Sequence, residues 1–485
     1  MPSALLSVAA VVAAAAAFAA VGLLDARRRR LSVEAYISAR DSAGTQTAVA
    51  TIVASAMGAW ILYSPAEAGT WGGLPALLGY GLGSAAPMLA LIPLGRRMRT
   101  LVPHGHSLTE FVWARYGRGM YALALAVMVF YMFVFLTAEI TGIALAVNLV
   151  SGQPLALTAA LVGLATLAYT AYGGLPTTVF TDRLQAAIIV PLLVAAFAGV
   201  VGALGGPIAV MAAVRQGAPA LLAPGYRPGV EGAVTLVIAI LGANLFHQGY
   251  WQRVYLARDL GVLRRAMWVS AALVVPIVIL PGLLGVVAAA TGRAQTPSVA
   301  FFSLLLAVAP AWVIIGVLVL AVALAMSSID TLLNGLAAVF TADLSRLRPA
   351  AGPSRLLGWS RLMTVALALA AIALAARGYS VLYLFLVADL VCVAAATPTF
   401  LGLYARRLAG WAAATSALAG IAAGALFFPD PGFTRGHLLT AFLLAAAVPS
   451  LLATLLQLAG QPADLERLRT LVRPLDEPRG ANPRS

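Results

Sequence analysis

The chain has 485 residues, of which 62% are hydrophobic and only 10% are charged, with a mean hydropathy of +0.95 and a formal net charge of +14. Soluble domains carry about 25% charged residues. This composition therefore excludes a water-soluble globular protein and indicates an all-α polytopic membrane protein. The single cysteine, Cys392, excludes an intrachain disulfide.

Apolar windows of about 20 residues, the length that crosses ~30 Å of hydrocarbon, recur along the whole chain. We interpret thirteen of them as membrane spans. In chain order, the predicted spans are residues 4–24, 44–65, 73–95, 119–149, 154–172, 184–205, 232–250, 266–290, 311–335, 360–377, 379–403, 409–427 and 437–458.

The two ends of the chain predict a single membrane domain. Residues 1–24 are interpreted as a retained helix and not as a cleaved signal peptide, because the arginines follow the apolar run instead of preceding it. The polar tail, residues 460–485, is too short for a kinase or another binding domain.

All 31 basic residues of the Lys/Arg class are arginines, and their distribution predicts the topology. If residues 25–41 are cytoplasmic, 26 arginines lie on the cytoplasmic side and five lie outside. This asymmetry follows the positive-inside rule, so we expect an external N-terminus and a cytoplasmic C-terminus. The net charge is thus a topology signal and does not indicate nucleic-acid binding. The external arginines are Arg215, Arg227, Arg293, Arg377 and Arg435.

Small and glycine-rich segments interrupt two of the early spans. Residues 51–73 are consistent either with a tightly packed helix or with a broken helix whose free carbonyls bind ions. Residues 167–190 contain a Gly-Gly pair and then Asp182, which either caps a helix corner, pairs with Arg183 or belongs to a site.

Polar residues also interrupt three other spans. Asn244, His247 and Gln248 lie within five positions, a density that favours a water-filled cavity over an apolar core. Glu139 and Asp389 are further acidic residues in apolar runs. Each is a candidate for a buried functional carboxylate.

The span at residues 311–335 carries the clearest polar stripe. Ser327, Asp330, Thr331 and Asn334 share one helix face at ~100° per residue. Serines in membrane helices often bond to carbonyls one turn earlier. A charged side chain near mid-bilayer, however, costs ~2.5–3.5 kcal/mol unless it is paired or solvated. Asp330 therefore predicts a functional site.

Four segments in this order resemble the sodium:solute symporter family. YTAYGGLPTTVFTDRLQ (169–185) resembles the family signature, and AMSSIDTLLNGLAAVFTADL (325–344) resembles its Met-Ser-Ser/Thr helix. VEAYISARD (33–41) is similar to the first-loop pattern, and AATPTFLGLYARRLAG (395–410) to the Pro and Arg motif of the eleventh helix. The resemblance covers most of the chain.

The resemblance implies the five-plus-five inverted repeat of leucine-transporter-type folds, with one leading and two trailing helices. The expected regions are a leading helix and first cytoplasmic loop at 1–43, the two repeats at 44–206 and 232–403, the trailing helices at 404–459 and a short cytoplasmic tail at 460–485.

The resemblance also implies a sodium ion between the second and ninth helices. Hard cations prefer oxygen ligands, and neutral oxygens bind a monovalent ion without trapping it. By position, the ligands are the hydroxyls of Ser327 and Ser328 and the carbonyls of Ala54, Met57 and Leu324.

A second cation site, present in part of the family, is implied at Asp182, Ser327, Asp330 and Thr331. Two close carboxylates cannot both stay ionised cheaply without a cation between them. We expect sodium there or, when sodium is scarce, a proton. The alternative is that Asp330 caps a neighbouring loop.

The resemblance implies a substrate near the midplane, beside the broken second and seventh helices. The candidate contacts are Asn244, His247, Gln248 and Asp389. In sugar symporters the position of Asn244 contacts the sugar, and an aromatic inner gate stands at the position of His247.

Other segments point away from sugars. QGYWQR (248–253) and VPHGHSLTEFVWARYG (102–117) resemble urea transporters, and Ala56 stands where proline symporters carry an aspartate. We therefore expect a small polar solute, urea or an amino-acid-like metabolite, and leave its identity open.

The sequence thus predicts a secondary active transporter of the plasma (inner) membrane that imports a small solute with sodium by alternating access. Its expected partners are the solute and the lipid bilayer, without nucleic acid, and it is a monomer or a homodimer. A non-transporting solute sensor and a proton-coupled symporter stay open. We expect no enzyme, because no His, Cys or acidic pair has the spacing of a metal or acyl-transfer site.

Overall fold

The computed structural model describes residues 3–28, 39–347, 352–431 and 435–472. Within these ranges the regular structure is helical, and the only β contact is an isolated parallel bridge between Ala43 and Ala257. Most of the first-loop pattern and the end of the predicted tail lie outside the described residues.

The α-helices are numbered in chain order, and four short 3-10 turns lie between them. They are α1 Ala4–Arg27, α2 Thr45–Ala56, α3 Ser64–Leu101, α4 Leu108–Tyr116, α5 Arg118–Ser151, α6 Leu155–Ala203, α7 Pro207–Gly217, α8 Arg227–Asn244, α9 Gln248–Leu256, α10 Leu260–Ala290, α11 Ala300–Val308, α12 Ala311–Leu347, α13 Pro353–Ala375, α14 Val381–Leu401, α15 Gly410–Ala425, α16 Leu438–Leu456 and α17 Leu468–Leu471.

Nine helices of the described chain are long and apolar enough to cross a membrane, or ten if the bent pair α8 and α9 is one span. This confirms the predicted all-α membrane protein. The number of thirteen stays a prediction, because it requires α3 and α6 to be divided at Gly73 and Gly174 and the 16-residue α15 to be counted as a further span. Both glycines have a left-handed φ, +57° and +58°, that interrupts the helix.

Two spans are broken in the membrane-like interior. α2 ends at Ala56, Met57 and Gly58 are extended, and a 3-10 turn follows at Ala59–Leu62. A Cβ at Gly58 would overlap the Glu139 carboxylate of α5, so a larger residue there would require the Glu139 side chain to move. The segment 51–73 is therefore a broken helix, as one of its two interpretations required.

The second break separates α8 from α9 with a bend of 62°. His247 ends the interruption as the N-cap of α9, where its Nδ1 accepts a hydrogen bond from the Gly249 backbone N–H at 3.0 Å. An imidazole that caps a helix satisfies one of the donors that a broken helix leaves unpaired.

Close helix packing surrounds these breaks. α3 packs extensively on α8 and α10, and α12 packs on α6. Gly79 lies against Ala233, and Gly69 lies against the Gly282 carbonyl, so that a side chain on either glycine would push the helices apart. Small residues are what membrane helices use to approach this closely.

The segment before α2 is joined to the end of α9. The Ala43 N–H donates to the Leu256 carbonyl at 3.0 Å, and the Arg258 N–H donates to the Ala43 carbonyl at 2.9 Å. Just beyond, the Val262 N–H bonds to the exposed Asp259 carboxylate at 2.8 Å and holds its pKa below the ordinary value. The two broken spans thus share a backbone connection at one end.

Candidate functional site

The break in α2 faces the polar stripe of α12. Ser327 Oγ lies 3.2 Å from the Ala54 carbonyl oxygen, in the last turn before the break. Ser328 Oγ, in the next position, is buried and has no hydrogen-bond partner among the described residues. Met57 and Leu324 are also buried, with at most 1% of their surface exposed.

This arrangement fits a small cation with oxygen ligands. A buried hydroxyl without a partner is costly, and the Ser328 oxygen is available as a ligand. The neighbouring extended residue, Met57, has left the helix and no longer needs its carbonyl for the i to i+4 ladder. The fit therefore comes from one orphan hydroxyl and one freed backbone segment.

Asp182 of α6 lies at the centre of a second, fully hydrogen-bonded cluster. Its Oδ2 accepts from the Thr51 hydroxyl at 2.6 Å and from Arg253 Nη2 at 3.0 Å. Its Oδ1 lies 3.0 Å from Ser327 Oγ, and Ser55 Oγ lies 3.4 Å from Oδ2. The Asp182 carboxylate is thus surrounded by donors from three helices, α2, α9 and α12.

Arg253 of α9 is the largest cation in this interior. Neither its side chain nor that of Asp182 has any exposed surface. Besides Asp182, its guanidinium donates to Thr51 Oγ1 at 3.2 Å, to Thr331 Oγ1 at 3.1 Å and to the Gly249 carbonyl at 3.4 Å. A buried arginine with these partners has its charge and its fork of donors largely satisfied.

The Asp330 carboxylate of α12 accepts hydrogen bonds from α6. The Tyr169 hydroxyl donates to its Oδ2 at 2.8 Å, and the Thr181 hydroxyl does so at 3.1 Å. Both donors come from α6, one on each side of Gly174. Asn334, one turn further along α12, donates to the Thr178 hydroxyl. The polar stripe of α12 therefore packs on the broken region of α6.

A cavity beside both breaks is walled by aromatic rings. The volume that the centre of a water molecule can occupy in it is about 40 Å³, which is room for a few waters. Ring centroids lie 5.7 Å apart for Trp60 and Tyr80, 4.8 Å for Phe135 and Phe385, and 5.8 Å for Tyr131 and Phe135. These rings form a continuous wall.

Three of the four predicted substrate contacts, Asn244, His247 and Asp389, line this cavity. The Asn244 amide donates to the Ile240 carbonyl at 2.9 Å and accepts from the Tyr131 hydroxyl at 3.3 Å. The His247 ring meets Phe135 edge-on, with centroids 5.5 Å apart.

Asp389 is the acidic residue among those that line the cavity. It is only 5% exposed, and among the described residues none donates a hydrogen bond to its carboxylate or forms an ion pair with it. A buried carboxylate without a partner is strongly unfavourable. A ligand that brings a hydrogen-bond donor or a positive charge would complement it.

The Glu139 carboxylate accepts a hydrogen bond from the backbone of the broken span. Its Oε2 accepts from the Ala59 backbone N–H at 2.7 Å, at the start of the 3-10 turn after the α2 break. It therefore caps the second half of a broken span. Met57 and Trp60 lie on this same capped segment, one beside the cation site and the other in the cavity wall.

A family model for the sodium:solute symporters matches residues 36–424. The chain belongs to the sodium:solute symporter family. The spermidine transporter DUR31 of Candida albicans (strain SC5314) is 28% identical over 371 residues, which cover 75% of this chain and 68% of the relative. The chain described here is thus a membrane-embedded, multi-pass transporter and not an enzyme.

Two solved structures share its fold. A Na+-coupled sialic acid symporter, in a substrate-bound outward-open state, matches with a TM-score of 0.76 at 18% identity, covering 95% of this chain and 99% of that one. Mhp1, a nucleobase-cation-symport-1 family transporter, matches in a closed conformation with a TM-score of 0.57 at 14% identity, covering 90% and 98%.

One predicted substrate contact, Gln248, lies away from this cavity in the described structure. Gln248 does not line the cavity, because its amide is used elsewhere: Nε2 donates to the His106 carbonyl at 2.5 Å, and Oε1 accepts from the Leu108 N–H at 3.2 Å. The bend before α9 turns Gln248 toward the start of α4. It therefore connects two helices instead of facing a solute.

Several polar residues of the transporter's interior were missed from the sequence. Thr51 and Ser55 stand one turn apart on α2, which was a readable signal, whereas Tyr169 and Arg253 meet their carboxylates only in the fold. Ser55 lines the cavity and also lies 3.1 Å from Thr331 Oγ1. It is thus a direct contact between the cavity and the charged cluster.

Proposed function

We propose that this transporter imports a small organic cation, with an ammonium group as its recognised feature, together with sodium. The observation that carries the proposal is Asp389, a buried carboxylate that has no partner among the described residues and lies in a cavity walled by aromatic rings. This narrows the expectation of a small polar solute to a positively charged one.

The chemistry of the wall supports a cation. An ammonium group within about 6 Å of an aromatic face gains ~0.5–2 kcal/mol. Trp60, Tyr80 and Phe385 supply such faces, and Asp389 supplies the countercharge. The similarity to a spermidine transporter supports the same class of solute. The narrow cavity accommodates the head of an amine, and a longer polyamine requires its walls to move apart, as alternating access does.

Sodium coupling is supported by the family and by the oxygen groups at the α2 break. The proposed ligands are the hydroxyls of Ser327 and Ser328 and the carbonyls of Ala54, Met57 and Leu324. One sodium moving through ~100 mV releases about 2.3 kcal/mol, and a tenfold gradient adds about 1.4 kcal/mol. The sum drives roughly 500-fold accumulation of a neutral solute, and inward movement of a cation gains more.

For the membrane arrangement we propose the full plan expected from the sequence. It comprises thirteen spans in the plasma membrane, an external N-terminus, a cytoplasmic C-terminus and inverted repeats at 44–206 and 232–403. The two broken spans, α2 with the start of α3 and α8 with α9, would be the first spans of the two repeats. Their similar interruptions support this pairing.

The test is uptake into proteoliposomes that contain the purified full-length protein. Labelled spermidine, a short diamine and urea are supplied with an inward sodium gradient, with an equal proton gradient in choline buffer, or with neither. The proposal expects accumulation of an amine with sodium and its loss in choline. Cys392→Ser serves as the matched control on α14, since it changes a buried group three residues from Asp389.

Other outcomes contradict the proposal in different ways. Accumulation of urea in preference to the amines contradicts the cationic solute. Equal uptake in choline with a proton gradient contradicts sodium coupling and favours proton coupling. Binding of a solute without any flux favours a sensor.

A further inference from the structure

The Arg253 guanidinium lies among the groups from which a second cation site was expected. It is paired with Asp182 at 3.0 Å and donates to Thr331 at 3.1 Å, both of them predicted ligands of that site. It also lies close enough to Asp330 for a direct electrostatic attraction. Three of the four predicted ligands therefore face a cation that belongs to the chain itself.

The charges of the cluster leave little need for another cation. With Asp182 and Asp330 both ionised and Arg253 protonated, the cluster carries one net negative charge, which a single sodium at the α2 break neutralises. With Asp330 neutral, the cluster is balanced before any sodium enters. A second sodium would leave an uncompensated positive charge in the interior in either case, and such a charge is costly there.

Space leads to the same conclusion. Asp182 Oδ2 already accepts from Thr51 and Arg253, and its Oδ1 faces Ser327. Thr331 Oγ1 lies within 3.1 Å of both Ser55 and Arg253. The oxygens that would coordinate a second sodium are therefore already bonded to protein donors, unlike the Ser328 hydroxyl at the α2 break.

We propose that Arg253 is a built-in cation that occupies the second cation site, so that this transporter binds one sodium ion, at the α2 break. The inference rests on the proposed sodium coupling and determines its stoichiometry. It replaces the expectation that sodium or a proton fills the space between Asp182 and Asp330.

The experiment measures equilibrium binding of 22Na+ to the purified full-length protein, with choline keeping the ionic strength constant. We expect the wild type to saturate at one sodium per chain with a Hill coefficient of one. Arg253→Gln removes the fixed charge and leaves two carboxylates to be neutralised. We expect it to saturate at two sodium ions with a Hill coefficient above about 1.5.

Three further variants separate charge from folding. Arg253→Lys keeps a cation and is expected to bind one sodium. Arg253→Gln combined with Asp182→Asn lacks the second carboxylate and is expected to return to one. Arg258→Gln is the matched control, because this arginine lies near the end of the same helix with 69% of its side chain exposed. It is expected to behave as the wild type.

The experiment distinguishes failure of the Arg253 proposal from failure of the proposed sodium coupling. No sodium binding by the wild type overturns sodium coupling itself. Two sodium ions in the wild type overturn only the built-in cation, and so does a single sodium in well-folded Arg253→Gln. If Arg253→Gln aggregates in gel filtration, the wild-type stoichiometry and Arg253→Lys decide: one sodium in both supports the proposal.

Discussion

Two buried aspartates of this transporter have opposite surroundings. Asp182 accepts hydrogen bonds from the Thr51 hydroxyl and the Arg253 guanidinium, and the Ser327 hydroxyl lies 3.0 Å from its other oxygen. Asp389 lies among aromatic rings, and none of the described residues bonds to its carboxylate. Both are almost fully buried, with 0% and 5% of their surface exposed.

This difference indicates that the two carboxylates have different roles. A carboxylate whose bonds are made within the protein stabilises the arrangement of the helices that supply its donors. A carboxylate that is buried without donors makes the empty state unfavourable and gains most when a ligand arrives. We therefore assign Asp182 to the framework of the proposed ion site and Asp389 to the proposed solute site.

The largest expected effect comes from breaking the pair at Asp182. Asp182→Asn leaves the Arg253 guanidinium buried without its countercharge, which typically costs ~3–5 kcal/mol. We expect a clear fall in the thermal unfolding temperature of the detergent-solubilised protein. Adding Arg253→Gln should restore most of the loss, because both charges are then absent.

The same measurement on Asp389→Asn should give the opposite sign. Removing an unpaired buried charge is expected to leave the unfolding temperature unchanged or to raise it. A fall as large as that of Asp182→Asn would mean that both aspartates have the same structural role, and the contrast between them would be wrong.

The second prediction concerns transport by Asp389→Asn. Loss of a buried charge partner costs about 2–5 kcal/mol in binding, so amine uptake into proteoliposomes should fall about 100-fold. Sodium binding should stay within twofold of the wild type. Cys392→Ser should transport normally, and undiminished amine uptake by Asp389→Asn would exclude the carboxylate from the solute site.

The third prediction concerns the cation site next to Asp182. Ser328→Ala removes a buried hydroxyl that has no hydrogen-bond partner among the described residues. We expect the sodium concentration for half-maximal uptake to rise about tenfold, equivalent to ~1.4 kcal/mol. Protein yield should not change, because no internal hydrogen bond is lost. Ser416→Ala is the control: its hydroxyl bonds to the Ala412 carbonyl of its own helix at 2.7 Å. Equal sodium dependence in both variants would remove Ser328 from the ligand set.

The smallest effect is expected at Glu139, which contacts neither proposed ligand. Glu139→Gln still accepts from the Ala59 N–H but loses the strength of a charged acceptor. We expect sodium and solute affinities to fall together by about threefold, since the same segment carries Met57 and Trp60. Glu139→Ala should have a larger effect. The exposed Glu231→Gln is the control, and a change in only one of the two affinities would contradict the shared role.

Much of the fold could be predicted from the sequence because lipid imposes a simple rule. Spans must be long and apolar, so hydropathy alone predicts the all-α membrane protein and the approximate bounds of its helices. The segment around Gly58 and the run after Asn244 also departed from this rule, and both proved to be broken helices. The family was evident from residues 169–185 and 325–344, where polar groups persist against the cost of burial.

The partners of those polar groups could not be predicted in the same way. Gln248 stands four residues after Asn244, a spacing that would put both on one face of a continuous helix. It faces another helix instead, because the chain bends by 62° between α8 and α9. A sequence pattern assigns faces only within a continuous helix. Once the helix breaks, neighbouring residues no longer share a direction.

The sequence by itself determined which residues could not be in contact with lipid: Asp182, Asp330, Asp389 and the serines of α12, since each is costly there without a partner or water. Only the tertiary structure decided what each of them meets. Arg253 is 71 positions from Asp182 and Thr51 is 131 positions away, and helix packing brings all three together, whereas the same packing surrounds Asp389 with rings. The free-energy cost of burying a polar side chain depends on its residue type and can be estimated from the sequence. The partners that offset this cost depend on which helices pack against that side chain.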